Sequence, residues 1–293
     1  MIRAERLTRR FGELIAVNGL DLAIGKGEVF GLVGPDGAGK TTTLRLLTGL
    51  LDADAGTVTV AGFNVAEKPA EVRDRIGYMA QKFGLYGDLT VEENMDFYAD
   101  LFGVEPAALE PLKLKLLAMT RMTPFRERPA GKLSGGMKQK LALMCTLLHK
   151  PEILLLDEPT NGVDPVSRRD FWIILDELVR GGMTLLVTTA YLDEAERCHR
   201  VGLMHNGRLI RMGTPGELKA QVPGDCYEVT GADLRALRAA LAGRVVSVKP
   251  AGAALHVFLT AGAAIPAGGG EWTRIQPTLE DVFVTFIGAE DAG

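Results

Sequence analysis

The sequence predicts an α/β fold built on a mostly parallel sheet, with a helical subdomain inserted into it and a small α+β domain behind it. Three observations predict this. Apolar runs of strand length alternate with segments of helical period, the pattern of parallel strands joined by crossover helices. A glycine-rich loop links one such run, residues 29–33, to a helix. A second apolar run, 153–156, ends in Asp157 and Glu158 shortly after a Ser-Gly-Gly turn that opens another helix.

In chain order, the opening residues read as short strands, VFGLV at 29–33 being the clearest. Leu44, Leu47 and Leu50 then recur at helical spacing from Thr41 onward, and Gly49 suits a C-terminal cap. A turn over 52–56 precedes an alternating strand at 57–61, and a further strand at 75–80 ends at Gln81. From about 89 to 150 the pattern is helical, interrupted by Pro106, Pro111, Pro124 and Pro129. Thr90 followed by Glu93 has the form of a capping box. Strands return at 153–156 and 184–188 around a helix at 166–180, and a helix at 191–197 and a strand at 200–204 follow. Composition changes around 215–225. Residues 1–222 are therefore read as one domain, with 89–150 as its helical subdomain, and 223–293 as a second. That second domain has a strand at 227–230, a helix at 232–242, strands near 244–249 and 254–260, a Pro/Gly stretch at 266–270 and a helix at 278–287.

Bulk properties narrow the function. Apolar residues at 47% and charged residues at 24% describe an ordinary globular protein. A formal net charge of -4 argues against a nucleic-acid partner, which would call for a basic field. Cys145, Cys198 and Cys226 show no disulfide or metal spacing and imply a reducing compartment. The N-terminal segment lacks the apolar stretch of a secretory signal, and no apolar run reaches the length of a membrane span. Service to a membrane would run through a partner.

The chemistry is carried by short motifs. Gly34-Pro35-Asp36-Gly37-Ala38-Gly39-Lys40-Thr41-Thr42 fits G-x-x-x-x-G-K-T between a strand and a helix. Its backbone amides would cradle phosphates, Lys40 would reach the outer ones, and the Thr41 hydroxyl would ligate Mg²⁺. Asp157, at the end of its strand, would hold the same metal ion. Glu158, taken to point the other way along the strand, would activate an attacking water. Ser134, Gly135 and Gly136 open a helix and make a second phosphate-binding element, more than one subunit needs for a single nucleotide. Two subunits that sandwich their nucleotides explain the duplication.

This order of elements resembles the nucleotide-binding subunit of ATP-binding cassette (ABC) transporters over about residues 3–215. The resemblance implies a P-loop NTPase cassette with an antiparallel β subdomain. It implies ATP and Mg²⁺ as ligands, an integral membrane permease and a second cassette as partners, and a peripheral position on the cytoplasmic face of the membrane. In LSGGMKQK (133–140), Ser134, Gly135 and Gly136 match the signature that touches the γ-phosphate held by the opposite subunit. Gln81 matches the glutamine that reaches the metal site and links it to the helical subdomain, and Asp164 matches the loop that crosses between subunits. Phe11 falls where the family stacks an aromatic ring on adenine, and Val17 would line the same pocket. Ala190 departs from the pattern, for it stands where a histidine contacts the γ-phosphate. The stretches EPTNGVDP, YLDEAERC and PTLEDVF are similar to the exporter branch, which moves drugs, antibiotics or lipids. Ala190 leaves open a hydrolytically impaired cassette paired with an active one. A soluble relative acting on the ribosome is the other alternative. Chromosome-associated relatives are excluded, because Ser134 lies only 100 positions after Gly34.

Overall fold

A computed structural model of the chain describes residues 1–231, 233–241, 245–260, 262–266 and 270–290, except the side chains of 287–290. The ends of the helix expected at 232–242, the start of the strand expected near 244–249 and the centre of the 266–270 stretch lie outside the described residues.

The chain opens with two long strands, β1 (Ile2–Phe11) and β2 (Leu14–Ile24), where short ones were expected. Their register shifts between Ala4 and Leu7 and again beyond Leu7, and Arg6 takes a left-handed φ of 46°. Such irregularities break the alternation that marks a long strand. Next come β3 (Val29–Val33), the glycine-rich loop, α1 (Lys40–Leu47), β4 (Ala55–Val60), β5 (Phe63–Asn64), α2 (Pro69–Arg73) and β6 (Ile76–Met79). The helical subdomain contains α3 (Val91–Leu101), α4 (Pro106–Met119) and α5 (Gly135–Leu147). The Thr90 box forms as expected: Glu93 N–H donates to Thr90 Oγ1 (3.1 Å) and Thr90 N–H donates to Glu93 Oε2 (2.8 Å). Pro106 does not interrupt a helix but starts α4, where a missing N–H costs nothing, and α4 continues through Pro111.

The alternation resumes with β7 (Ile153–Asp157), α6 (Pro165–Arg180), β8 (Thr184–Thr189), α7 (Leu192–Ala195), β9 (Arg200–His205) and β10 (Arg208–Gly213). Asn206 and Gly207, both at positive φ, make the two-residue turn between β9 and β10. The sheet order is β10-β9-β3-β8-β7-β6, and the β6–β7, β7–β8, β8–β3 and β3–β9 pairs are parallel. A second sheet, β2-β1-β4-β5, is antiparallel. Helix α1 is packed into one core with both: Leu44, Leu46 and Leu47 join Leu7 and Leu20 of the antiparallel sheet and Leu32, Leu155 and Leu186 of the parallel one. Each of these buried leucines contributes about 1.5–3 kcal/mol. The first turn of α1 is thereby held at the C-terminal edge of the parallel strands, the edge where doubly wound folds bind ligands.

Two compact units divide the chain, Met1–Ile210 and Arg211–Gly293. The boundary falls earlier than the 222/223 read from composition, because α8 (Pro215–Ala220) packs with the C-terminal helix. The rest of that unit is β11 (Asp225–Thr230), α9 (Leu234–Leu241), β12 (Ser247–Ala251), β13 (Ala254–Leu259), β14 (Glu271–Ile275) and α10 (Leu279–Glu290). Its antiparallel sheet has the order β12-β13-β11-β14, and one face packs Val229, Leu255, Val257 and Leu259 against Leu237 and Leu241 of α9.

An ion network ties the helical subdomain together. Lys113 of α4 bonds Glu92 (2.9 Å) and Asp96 (2.7 Å) of α3 and Glu110 (3.2 Å), while Arg126 engages Glu92 and Glu110. Hydrogen bonds from Arg126, then from Lys113, outweigh burial and lower the Glu92 pKa from 4.5 to about 2. A folded-state pKa below the unfolded one stabilises the protein above the unfolded pKa and loses that stability as pH falls. The window here runs from 4.5 down to about 2. We expect Glu92→Gln to cost about 1–2 kcal/mol at neutral pH and to flatten the acid limb in that window. Denaturant titrations at stepped pH check this, and identical acid limbs in both proteins would remove Glu92 from the account.

Candidate functional site

Strand β3 delivers the glycine-rich loop to the sheet edge, and α1 begins directly after it. Gly39 sits at a φ of 105°, and a Cβ there would lie 2.3 Å from the Ala16 carbonyl oxygen, so only glycine fits. No side chain caps α1 and no acid stands in its first turn, so its leading amides carry an uncompensated positive end. A cleft of about 720 Å³ opens over this turn, lined by Asp36, Gly37, Ala38, Gly39, Lys40, Thr41 and Thr42, with Gln81 and Glu158 at one side.

The charged groups in its floor are almost wholly buried: Lys40 is 4% exposed, Asp157 1% and Glu158 8%. Lys40 Nζ donates to the carbonyls of Gly34 (2.7 Å) and Pro35 (3.0 Å) and pairs with Glu158 Oε1 (3.0 Å). Asp157 accepts hydroxyl hydrogen bonds from Thr188 (2.8 Å) and Thr41 (3.0 Å) on Oδ1 and from Tyr78 (3.4 Å) on Oδ2. Lys40 pairs with Glu158, and among the described residues the side chains that hold the Asp157 carboxylate are hydroxyls. A buried surplus of negative charge is costly without a counter-ion, and a hard oxygen donor set of Thr41 and Asp157 suits Mg²⁺.

Glu158 was expected on the far side of the strand end from Asp157. Its backbone is left-handed, at a φ of 48°, and its carboxylate faces Lys40 at the side of the cleft. It accepts from Gln81 Nε2 (3.0 Å) and Asn161 Nδ2 (3.1 Å), while its own amide donates to Thr188 Oγ1 (3.0 Å). Gln81 thus stands beside Glu158.

At the other end of the cleft, Phe11 is 47% exposed, with Leu14, Ile15 and Ala16 beside it. Val17 does not line the cleft. Its side chain is fully buried in the core shared by the two sheets.

None of Ser134, Gly135 and Gly136 lines this cleft. Ser134 is exposed and caps α5, its Oγ accepting from the Met137 amide at 3.3 Å. Gly135 is exposed beside it, while Gly136 is buried against α6, where a Cβ would meet Ser167 Cβ at 2.5 Å. Asp164 caps α6. Hydrogen bonds from the Ser167 hydroxyl and amide, joined by the Val166 amide, hold its carboxyl below the usual range. Ala190 is exposed at the end of β8 and lines a recess of about 150 Å³ with Asp36, Glu158, Thr160, Asn161, Thr189 and Tyr191.

Sequence reasoning missed four contributors. Thr188 pairs in register with Asp157 across the parallel strands, so strand alignment could have found it. The Asn206-Gly207 turn, which also lines the cleft, had a recognisable hairpin sequence. Tyr78 and Asn161 carried no such signal.

Residues 17–161 match the ABC transporter family. The chain is 44% identical over 225 residues to a probable multidrug ABC transporter ATP-binding protein of Escherichia coli, covering 77% of this chain and 39% of that one. It therefore spans about two fifths of that relative's length. It is 42% identical to a daunorubicin resistance ATP-binding protein of Streptomyces coeruleorubidus, covering 79% of this chain and 72% of the relative. With the Nod factor export ATP-binding protein I of Burkholderia orbicola it shares 36% identity, covering 96% and 95%. Among solved structures, an ATP-binding subunit of an ABC transporter superposes with a TM-score of 0.68 at 28% identity, covering 75% of this chain and 92% of that one. A dimeric ATP-binding cassette in a post-hydrolysis state with ADP and Pi gives 0.66 at 25%, covering 73% and 98%. On these similarities, the chain belongs to the ABC transporter family.

Proposed function

We propose that the chain is the ATP-binding subunit of a membrane exporter for drugs, antibiotics or lipids, which binds and hydrolyses MgATP between two cassettes to drive transport. One observation carries the reading: phosphate-binding chemistry lies in two separate places. The loop and Glu158 line one cleft, with Asp157 bonded to Thr41 of that loop, whereas the exposed Ser134-Gly135 end of α5 lies outside the cleft. The second element is of use only to a nucleotide held by another cassette. The relatives' names favour transport over a ribosomal role, and the net charge of -4 is in keeping with no nucleic-acid partner. Among the described residues no helix is long and apolar enough to cross a membrane. In this reading an integral membrane permease would carry the substrate path. The subunit would then sit peripherally on the cytoplasmic face. The second cassette would be a copy of this chain or a related one.

In this reading Gly34–Thr42 cradles the phosphates, Phe11 stacks on the adenine, and Thr41, Asp157 and Gln81 hold Mg²⁺ directly or through water. The metal ion would supply charge neutralisation at the phosphates. Lys40, now paired with Glu158, would exchange that carboxylate for phosphate oxygens. Glu158, still oriented by Gln81 and Asn161, is then free to take a proton from the attacking water. Asp164 would fix the start of α6 where the two cassettes meet. The exposed methyl of Ala190 leaves the recess beside Glu158 without a histidine donor, which supports slow hydrolysis at this chain's own site.

Three measurements test this. Lys40→Ala abolishes ATP binding, whereas Glu158→Gln keeps binding and lowers turnover about 100-fold or more; full turnover in Glu158→Gln would remove it as the base. Gly136→Ala forces α5 away from Ser167, so nucleotide affinity in equilibrium binding stays within about twofold while dimer-dependent hydrolysis collapses. A parallel loss of affinity would refute the separation of the two elements. Ala190→His raises turnover about tenfold or more in steady-state assays, and an unchanged rate would show that the missing donor is not limiting.

A further inference from the structure

We propose that the C-terminal unit binds a divalent transition-metal ion of zinc's class between Cys226, His256 and Asp281. These residues lie far apart in sequence and are brought together by the register of three elements. Cys226 of β11 faces Phe258 of β13, and Glu228 faces His256, so Cys226 and His256 stand diagonally on one sheet face. That face is opposite the one packed on α9. Asp281 reaches it from the first turn of α10. The thiol sulfur, a ring nitrogen and a carboxylate oxygen all lie within 4.8 Å of one another. Tetrahedral zinc, with bonds of about 2.0–2.3 Å, places its ligand atoms roughly 3.3–3.8 Å apart. His256 Nδ1 and Asp281 Oδ2 are already at 3.3 Å.

The surroundings are those of a ligand set rather than a chance cluster. Cys226 and Asp281 are each only 2% exposed. The second nitrogen of His256, Nε2, faces Glu228 Oε2 at 3.9 Å. With Nε2 turned toward that carboxylate, Nδ1 is the ring nitrogen that faces Asp281 and would bind the metal ion. The Asp281 carboxylate is fixed by the Thr278 amide (2.9 Å) and hydroxyl (2.8 Å), both of which donate to Oδ2. Lys249 Nζ, 3.4 Å from Oδ1 and 3.2 Å from the Asp281 carbonyl, already supplies a cation on the other side. The metal ion would bind Oδ2 in place of the Thr278 hydroxyl, with water at its fourth position. Thiolate and carboxylate then balance its two charges. Binding releases the Cys226 thiol proton to solvent.

The test uses the full chain, loaded with zinc under reducing conditions and desalted. We expect about one zinc ion per chain in the wild type and a loss of affinity of at least tenfold in Cys226→Ser and His256→Gln. Zinc should raise the melting temperature of the wild type and of neither variant, and cobalt should give a thiolate charge-transfer band that Cys226→Ser lacks. Metal-free far-UV circular dichroism and melting temperature like those of the wild type show that both variants are folded. Substoichiometric zinc in the wild type, or equal zinc in Cys226→Ser, overturns the proposal.

Discussion

The whole site depends on a lysine ammonium buried at the start of α1. Lys40 is 4% exposed, and its Nζ binds two carbonyls of its own loop and the carboxylate of Glu158. Removing an ammonium from water costs several kcal/mol unless its donors are filled, so these contacts decide the local geometry. They close the loop on itself and tie α1 to the residue after β7. The leucines of α1 hold the helix from behind, in one core with both sheets. Parallel pairing of β3, β8 and β7 brings the loop and the acids to one edge. Without those strands in that order, the ammonium would have no carboxylate to meet.

That constraint explains why the floor of the cleft is left electrically unfinished. Glu158 pairs with the Lys40 ammonium, and among the described residues Asp157 is met by the hydroxyls of Thr41, Thr188 and Tyr78. Hydroxyl dipoles are weaker compensation than a cation. In the proposed function, phosphate would replace Glu158 on the lysine and a metal ion would replace hydroxyls on Asp157. The exposed end of α5 supplies what the floor lacks from outside. Gly136 lets α5 approach Ser167 closely, leaving Ser134 and Gly135 at the surface, where only another molecule can use them.

Much of this was legible in the sequence, for a physical reason. The phosphate loop, its strand and its helix are contiguous, so their chemistry is written in adjacent letters, and Thr90 with Glu93 is legible on the same ground. What depends on the folded backbone was not. The left-handed backbone of Glu158 and the burial of Val17 are properties of the folded chain and not of adjacent letters. Strands β10 and β14 were not read from the sequence at all. Cys226, His256 and Asp281 are separated by 30 and 25 positions, and only antiparallel register joins them. The early domain boundary has the same origin, since α8 belongs with α10 by packing and not by composition.

The loss of histidine at position 190 is best understood from what surrounds it. Thr189 Oγ1 accepts from the Tyr191 amide (2.9 Å) and donates to Glu194 Oε2 (2.9 Å). Glu194, 2% exposed, also accepts from Thr160 Oγ1 (2.5 Å) and pairs with Arg168 Nε (3.2 Å), whose guanidinium lies 4.2 Å from the Tyr191 ring centroid. The loop after the acids, the start of α6, the end of β8 and the start of α7 are thus locked together without any help from residue 190. A buried and fully partnered network of this kind is rigid and specific. The backbone at this position is therefore held whatever side chain residue 190 carries. In the proposed function, slow hydrolysis would be a deficit of one group and not of architecture. The exposed Ser134-Gly135 end of α5 would then remain available to a partner's nucleotide however slowly this chain's own is cleaved.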